Sequence, residues 1–369
     1  MVLGFAGIVP NLLIGIISIF LVVFGAEKVV AKMEGVAKYY GVSETVIAVT
    51  IISIGTSLPE LALHMVGSFN ILANPGNVEL YRTVSATVLG SNIGSDVVQQ
   101  TLVLGLVLIA GARIGQKKGF EFSEKFLKRD YAPMMFTTLM CIVLGWDRVY
   151  SRLDGLILFG SFIGYLGYQY TTRKEQLADQ GSVTPSDSPR YDFVTGLLFM
   201  ILVVVSADVF LKVVELGVEA TGLSGSMIGV ATVGVVSALP EMMTAIEGLR
   251  EGAEGISLGT LIGSNITNPL MAIGLGSLVS TYAVPDPLVL WDLPMETATA
   301  FILLVYMFNK DRIGNTLAPL ADGLGFDEAA ERLRNSENFV LTAAGAILLV
   351  AMYFVYMYVR WTYFPTDFV

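Results

Sequence analysis

Cysteine and histidine are almost absent from this chain. It has 1 of each in 369 residues, so no intramolecular disulfide can form and a paired-thiol redox site is excluded. One histidine with one cysteine also leaves no zinc-type ligand set, and the motif HExxH is absent, which argues against an intramembrane enzyme. Basic residues number 22 against 32 acidic ones, whereas nucleic-acid binding needs the opposite balance. We therefore expect no enzyme, no cofactor and no nucleic-acid partner.

Charged residues are scarce as well, and apolar residues are abundant. Only 15% of the residues are charged, 54% are hydrophobic and the mean hydropathy is +0.68, which is more apolar surface than one soluble core can bury. A span of roughly 20 apolar residues crosses the ~30 Å hydrocarbon core of a bilayer. The sequence therefore predicts an all-α integral membrane protein with ten transmembrane helices. The predicted spans are 8–37, 44–73, 83–112, 132–146, 153–172, 193–220, 225–248, 255–281, 288–308 and 338–363.

A long segment occurs twice in the chain. Residues 41–60, GVSETVIAVTIISIGTSLPE, recur without a gap at 222–241 as GLSGSMIGVATVGVVSALPE. Each half of the predicted topology has five spans, and an odd number makes the second half enter the membrane in the opposite sense. We therefore expect two inverted-topology repeats of five helices, 1–172 and 193–369. A short linker, 173–192, which is rich in Ser, Pro and charge, joins them.

The basic residues of the loops fall mainly on one side of this topology. Only Arg82, Arg148, Arg152 and Arg360 fall on the other side. Because cytoplasmic loops collect Lys and Arg, we expect the linker inside and both termini outside the plasma or inner membrane. No cleavable signal peptide is expected, since no basic region precedes the first span. The segment 310–337 includes FDEAAERLR, which is typical of a small amphipathic surface helix.

Each copy of the repeat places a Pro and a Glu inside apolar helical sequence. In the first copy, GTSLPE, Pro59 can start a second half-helix, and a hydroxyl residue just ahead of it can cap that half-helix. The break leaves backbone carbonyls free, and these add to side-chain oxygens as hard ligands for sodium or calcium. The candidate side-chain ligands are Thr56, Ser57 and Glu60 in the first copy and Ser237 and Glu241 in the second. We expect the two acids to meet near the midplane and to share a cation.

A second pair of segments carries further polar residues. GSNIGSD (90–96) and GSNITNP (263–269) open with small residues that let helices pack closely. Two pairs spaced four apart, each on one helical face, are Ser91 with Ser95 and Ser264 with Asn268. A separate polar stripe consists of Asn92, Asp96 and Gln100. The serines and Asn268 are interpreted either as further ligands or as close-packing polar residues.

The motifs GTSLPE and SALPE, each followed by GSN, resemble the two alpha repeats of the calcium/cation antiporter superfamily, which includes sodium/calcium exchangers. The resemblance covers essentially the whole chain. It implies that Glu60 and Glu241 are central ligands, with the neighbouring hydroxyls beside them and Ser91 and Ser264 at further ligand positions. The family's position four residues after that Ser usually carries Asn or Asp. This chain has Ser95 and Asn268 there. The resemblance also implies alternating access by sliding of the first and sixth spans against the other eight.

These features favour a secondary active antiporter that exchanges calcium for sodium, with those ions and membrane lipid as partners and no obligate protein partner. A proton/calcium exchanger is the alternative, because His64 lies one helical turn after Glu60 on the same face. The other interpretation of His64 is a core histidine bonded to its neighbours. Asp96 either borders the site or belongs to an interhelical hydrogen-bond network. A cation channel is the alternative from a different class, and a requirement for countertransport distinguishes the two.

Overall fold

The computed structural model describes residues 8–47, 51, 53–114, 119–122, 130–178, 184–250, 254–308 and 339–368. The amphipathic helix expected within 310–337 lies outside these ranges, as does the middle of the predicted linker.

Helices account for nearly all of the described chain. Those of the first half are α1 (Ile8–Tyr39), α2 (Glu44–Ile47), α3 (Ser53–Thr56), α4 (Leu58–Ala73), α5 (Val78–Val98), α6 (Leu104–Ile114), α7 (Ala132–Leu144) and α8 (Arg152–Ala178). Those of the second half are α9 (Pro189–Thr221), α10 (Gly225–Ile228), α11 (Gly234–Ser237), α12 (Leu239–Arg250), α13 (Glu254–Thr267), α14 (Gly274–Val279), α15 (Leu293–Phe308) and α16 (Ala343–Tyr363). Helix α8 runs past the predicted span end at 172, because Lys, Glu, Gln and Leu at its polar end are good helix formers.

Several helices are fit to cross a membrane. Five described stretches are long and apolar enough by length and composition: Pro10–Tyr39, Val78–Ala110, Pro189–Thr221, Gly225–Ile246 and Gly345–Tyr363. Two shorter helices, α4 and α7, are also apolar. Large apolar side chains stay exposed on the long helices, as on a lipid-facing surface: Leu198 on α9 is 61% exposed and Phe354 on α16 is 63% exposed. The protein is thus a mainly helical, multi-pass membrane protein, while the count of ten spans in inverted repeats stays a prediction.

Both repeats contain the expected helix interruption, and each is only one residue wide. Ser57 forms a turn between α3 and α4, and Ala238 forms the equivalent turn between α11 and α12. Pro59 and Pro240 follow two residues later, where a proline ring lacks the N–H that a continuous helix would use. The predicted hydroxyl cap is wrong for Ser57, whose side chain makes no capping hydrogen bond. Its backbone carbonyl accepts from Leu61 N at 3.0 Å instead.

Four π-helical segments whose full extent is described lie among the α-helices. They are Gln99–Val103, Gly229–Val233, Asn268–Ile273 and Leu288–Asp292. The first continues α5 into α6 and the third continues α13 into α14. Each π-turn holds one residue more than an α-turn, so it shifts the following side chains around the helix axis; such turns occur often at functional sites.

Helix α5 packs closely on α10 and the π-helical segment after it. A Cβ on Gly90 would lie 2.5 Å from Ser226 O, and a Cβ on Gly229 would lie 2.5 Å from Thr87 O. Neither position therefore has room for a side chain, and the two backbones touch. This contact joins the first half of the chain to the second and brings the polar residues that follow in α5 against α11.

Four short strands depart from the purely helical prediction. Strand β1 (Gly119–Phe122) pairs antiparallel with β4 (Phe339–Thr342), Gly119 opposite Thr342, and β2 (Val149–Tyr150) pairs antiparallel with β3 (Tyr282–Ala283). Each ribbon pairs one strand of the first half with one of the second. They are too short to carry the alternating pattern that would predict strands. The start of the last predicted span, 338–363, is thus strand, and α16 begins only at Ala343.

A buried ion pair ties the C-terminal segment to the helices. Arg360 on α16 is fully buried, and its Nε donates to Asp292 Oδ2 at 3.2 Å. Its guanidinium also donates to Ser226 Oγ and to the carbonyl of Phe364. The carboxylate of Asp367 accepts from the backbone N–H and hydroxyl of Ser226. The last residues thereby fold back onto the start of α10.

Candidate cation-binding site

Glu60 and Glu241 lie in the first turns of the helices that follow the two interruptions. The positive end of each helix dipole favours the charged acid there by about 0.3–1 kcal/mol. Both side chains are buried, at 0% and 1% exposed, and no carboxylate oxygen of either has a hydrogen-bond partner in the described structure. The two carboxylates interact electrostatically with each other. One acid from each half therefore lies within electrostatic range of the other, while a shared cation stays a prediction.

Two hydroxyls from different halves lie beside Glu60. Ser95 on α5 and Ser237 on α11 both face its carboxylate, outside good hydrogen-bonding geometry. Their hydroxyl oxygens are 3.2 Å apart. Both residues are buried. The sequence-predicted candidates Glu60, Glu241, Ser95 and Ser237 thus form one polar cluster, which we call the acid cluster.

Gln99, which the repeated motifs do not mark as a ligand, lies beside the acid cluster. Its Nε2 donates to Ser95 Oγ at 3.1 Å, and its Oε1 accepts from Ser264 Oγ and from Asn265 Nδ2, the latter at 3.1 Å. Gln99 therefore links Ser95 of the first half to Ser264 of the second. It stands four residues after Ser95, as Asn268 stands four after Ser264.

The two halves can be aligned in two ways in this region. The repeated letters GSN pair Ser91 with Ser264. Gln99 and Asn268 each begin a π-helical segment, which instead places Ser95 at the helical position of Ser264. The ligand role of Ser91 and Ser264 stays a prediction.

The described contacts of Ser91 do not include a member of the acid cluster. Its hydroxyl donates to Val88 O of its own helix at 2.8 Å, and its backbone N would be 2.7 Å from a Cβ on Gly229. It belongs to the close contact between α5 and the second half. The close-packing interpretation fits this placement better than the ligand interpretation.

Ser57 and Asn268 remain compatible with the predicted site. Ser57 is fully buried and its hydroxyl has no partner in the described structure. Asn268 is also fully buried; its Nδ2 donates to Asp96 Oδ1 at 3.2 Å, and its Oδ1 has no partner. Nothing is described of the side chain of Thr56, so that prediction falls outside the described structure.

His64 is held by a tyrosine. Its Nδ1 lies 3.2 Å from Tyr282 Oη, and that hydroxyl also contacts Ser68 Oγ at 2.6 Å and donates to the carbonyl of His64 at 3.0 Å. His64 is fully buried, and its Nε2 has no partner. The core-histidine interpretation fits these contacts.

The charges around the acid cluster are unbalanced. Four carboxylates are buried here, and that of Asp96 interacts electrostatically with those of Glu60, Glu241 and Glu296. The one fully buried basic side chain in the described ranges, Arg360, pairs with Asp292. The same ranges hold no group of three or more His, Cys, Asp or Glu side chains arranged for a metal. A cation would therefore have a mixed shell of carboxylate, hydroxyl and amide oxygens, which suits hard cations.

Comparisons with known proteins agree with this geometry. The sequence profile of a family described as sodium/calcium exchanger protein matches residues 10–171 and 191–362. The sodium/calcium exchanger MaX1 of Methanosarcina acetivorans is 26% identical over 340 residues, which covers 81% of this chain and 92% of that protein. The inner membrane protein YrbG of Escherichia coli is 25% identical over 283 residues, covering 74% and 81%.

Solved structures share the fold. The H⁺/Ca²⁺ exchanger CAX superposes with a TM-score of 0.64 at 16% identity, covering 95% of this chain and 87% of that one. The sodium-calcium exchanger NCX_Mj superposes with a TM-score of 0.53 at 21% identity, covering 95% and 98%. The family profile spans most of the chain, and the family consists of transporters rather than enzymes. With its paired acids on interrupted helices, the chain belongs to the sodium/calcium exchanger family.

Proposed function

We propose that the protein is a secondary active antiporter that exchanges calcium for sodium across the cell membrane by alternating access. The observation that carries the proposal is the burial of Glu60 and Glu241, one from each half, in one cluster without hydrogen-bond partners for their oxygens. Two such charges in a low-dielectric interior repel each other unless a cation lies between them. Calcium neutralises both, and sodium ions replace it.

The same repulsion accounts for coupling. A carrier whose acid cluster holds no cation would have to bury two uncompensated charges when it changes its open side, which is expensive. The loaded carrier has no such penalty. Release of calcium on one side is therefore followed by binding of sodium before the return step, and the two fluxes are linked.

The proposed ligands come from both halves. The carboxylates are Glu60 and Glu241, and the hydroxyl and amide oxygens are those of Ser57, Ser95, Gln99, Ser237, Ser264 and Asn268. Thr56 stays a proposed ligand from the sequence. The oxygen-only character of this set matches the preference of calcium and sodium and gives no thiol or imidazole for a softer metal.

The ten-span arrangement in two inverted repeats is also a proposal, and contacts at the helix ends support it. Lys32 pairs with Asp192 at 2.6 Å, and Ser186 N donates to Gly35 O, at the end that is expected to be cytoplasmic. Arg148 pairs with Asp286 at 2.5 Å at the end that is expected to be outside. The proposed boundaries are 1–172 and 193–369, with a cytoplasmic linker at 173–192 and both termini outside.

The moving part is proposed to be the pair of long helices, α1 and α9. They pack along each other, with Phe24 and Phe199 in edge-to-face contact at 6.0 Å. Their outer faces expose apolar side chains such as Phe20 and Leu197, so sliding of the pair would keep lipid against apolar surface. The remaining helices hold the acid cluster.

Ion-gradient uptake in proteoliposomes tests the proposal. Vesicles loaded with sodium and diluted into sodium-free buffer should take up radioactive calcium, and Glu60→Gln or Glu241→Gln should abolish the uptake. Ser161→Ala is the matched control, since its hydroxyl donates to Ile157 O of its own helix and to Met140 Sδ on α7, and to no member of the acid cluster. Uptake that persists in a folded Glu60→Gln variant contradicts the proposal. Calcium uptake driven by a pH gradient without sodium would make the protein a proton/calcium exchanger, and uptake without any counter-ion would make it a channel.

A further inference from the structure

Asn92, Asp96 and Gln100 form a polar stripe on α5, in which the amide nitrogens donate hydrogen bonds and some side-chain oxygens have no partner in the described structure. Asn92 Nδ2 donates to Asn268 O at 3.2 Å, and Gln100 Nε2 donates to Asn265 Oδ1 at 3.2 Å and to Glu296 Oε1 at 3.0 Å. Asn268 Nδ2 donates to Asp96 Oδ1. The atoms left without a hydrogen-bond partner are Asn92 Oδ1, Asp96 Oδ2, Gln100 Oε1 and Asn268 Oδ1. Four buried acceptors therefore face no donor in the described structure.

The placement of these oxygens follows from helix geometry. Asn92, Asp96 and Gln100 are spaced by four residues and so share one face of α5 and its π-helical continuation. Asn268 packs on that face, because it contacts both Asn92 and Asp96. All four side chains are at most 5% exposed. Ser95 and Gln99 point about 100° away from their neighbours Asp96 and Gln100, so this stripe is distinct from the acid cluster.

Buried acceptors without donors are normally bonded to a donor, a water or a cation. A proton on Asp96 would add one donor for one remaining acceptor, whereas a coordinated cation interacts with several acceptors at once. The shell has one free carboxylate, because Glu296 already accepts from Gln100 and from Thr138 at 2.8 Å. A shell with one ligating carboxylate suits a monovalent cation better than calcium, which binds more tightly where several charged ligands surround it.

We propose that Asn92, Asp96 and Gln100 line a second cation site, which adjoins the acid cluster across Asn268 and takes one sodium ion. Glu296, Thr138 and Asn265 position the Gln100 amide so that its oxygen faces the ion. The inference rests on the proposed function for the identity of the ion. Calcium at Glu60 and Glu241 would not occupy the oxygens of Asn92, Asp96 and Gln100, so the second site adds sodium binding that calcium does not displace directly.

Sodium binding is tested apart from transport. In the Glu60→Gln/Glu241→Gln background, the acid cluster has lost both charges and only the second site remains. The melting temperature of this purified variant in calcium-free buffer should rise with sodium chloride, at ionic strength held constant with choline chloride, because a ligand that binds only the folded state stabilises it. Adding Asp96→Asn should abolish the rise. Asn92→Leu, which keeps the carboxylate, should shift the half-maximal sodium concentration by about tenfold.

Thr101→Val is the matched control, since Thr101 Oγ1 donates to Val97 O of its own helix region; it should leave the sodium response unchanged. The proposal is overturned if the background variant shows no sodium response, if folded Asp96→Asn and Asn92→Leu respond like the background, or if choline or potassium acts as well as sodium. Stabilisation by low pH instead of sodium would show that Asp96 carries a proton, which also overturns it.

Transport measurements distinguish failure of the second sodium site from failure of the proposed antiport function. With native Glu60 and Glu241, Asp96→Asn should raise the half-saturating sodium concentration for calcium efflux by about tenfold, while calcium/calcium exchange without sodium stays within about twofold of the native rate. Equal loss of both activities in folded protein would place Asp96 in the calcium site and overturn the second site. A native protein that transports no calcium would refute the proposed function, while the sodium response of the background variant would still decide the second site.

Discussion

At the scale of single residues, the acid cluster lowers the free energy of unfolding. A buried acceptor without a partner costs about 1–3 kcal/mol, and a charged one costs more. Glu60 and Glu241 together present four such oxygens. The fold keeps these acids in the helix interior at the expense of its own free energy, which is expected of groups whose partner is a transported ion.

Glu60→Gln should therefore separate stability from binding. Without calcium, the variant should be more stable than the native protein, by about 1–3 kcal/mol in the free energy of unfolding, since one repelling charge is gone. Calcium should stabilise the native protein and leave the variant unchanged. Melting temperatures of both proteins with and without calcium check this. A less stable variant without calcium would show that Glu60 is bonded in the fold rather than kept for an ion.

Gln99 offers a second prediction at this scale. Gln99→Ala removes the amide that joins Ser95 to Ser264 and Asn265, so the half-saturating calcium concentration should rise by about tenfold or more, the effect of losing ~1.4 kcal/mol of binding. Ser91→Ala should change it by less than about twofold, because the Ser91 hydroxyl bonds only to its own helix. Calcium-dependent uptake in proteoliposomes measures both. The reverse ranking would restore Ser91 as the ligand.

At the scale of elements, the site depends on how closely α5 approaches α10 and α11. Backbones touch at Gly90 and Gly229, and one turn further along α5, Ser95 meets Ser237. Small residues permit such close approach in membranes, where packing rather than the hydrophobic effect drives helix association. A wider spacing of these helices would separate the oxygens contributed by the two halves.

Gly90→Ala should consequently weaken both stability and binding. The new Cβ would lie 2.5 Å from a backbone oxygen that cannot rotate away, so the helices must separate, and overpacking of this kind costs about 1–3 kcal/mol. Gly160→Ala on α8 is the control: nothing lies within 4 Å of its Cβ position, and it should be neutral or stabilising by up to ~1 kcal/mol. Thermal unfolding in detergent compares them. Equal melting temperatures for the two variants would contradict the close packing.

The interrupted helices and the second repeat were predictable because their signals are local. Pro59 and Pro240 prevent a continuous hydrogen-bond ladder wherever the chain folds. The absence of a side-chain cap at Ser57 could not be predicted from the local sequence. The turn there keeps the chain almost helical, so the Ser57 carbonyl rather than its hydroxyl takes part in the helix. Capping rules apply to helices that truly begin, and here the helix resumes after one residue.

At the scale of the whole molecule, the C-terminal segment closes one end of the bundle. Arg360, Asp292 and Asp367 form a buried charged group with Ser226, and Arg82 lies over the ring of Phe368 at 5.2 Å. These residues come from α16 and the segment after it, the π-helical segment before α15, the start of α10 and the start of α5. The group therefore joins both halves at the end of the molecule that we propose is outside.

Replacing Arg360 alone should strongly destabilise the protein. Arg360→Met leaves Asp292 buried without its partner, and loss of one member of a buried pair costs about 3–5 kcal/mol. The double variant Arg360→Met/Asp292→Leu removes the stranded charge and should recover much of that loss. The comparison needs only melting temperatures of the native, single and double variants. A double variant no more stable than Arg360→Met would show that the pair is not what holds the segment.

The orientation of the two halves is a prediction for the whole molecule too. In a Cys141→Ala background, which lacks the single, buried cysteine, Asp187→Cys and Asp147→Cys introduce thiols at exposed positions. A membrane-impermeant maleimide should label Asp187→Cys only from the cytoplasmic side and Asp147→Cys only from outside, as the bias of Lys and Arg requires. Labelling of both from one side would refute the proposed topology.

Composition and periodicity alone determined that the chain is a helical membrane protein with a doubled acidic motif, because apolar length and proline act locally. Only the tertiary structure decided which polar residues meet. The contacts of Ser95 with Ser237 and of Gln99 with Ser264 join halves that are far apart in sequence, and the second of them depends on the π-helical turn that begins at Gln99. The spacing of Asn92, Asp96 and Gln100 could be read from the sequence. That their oxygens lack partners could be read only from the packing of Asn268 and the other neighbours, because the energy of a buried oxygen depends on every group around it.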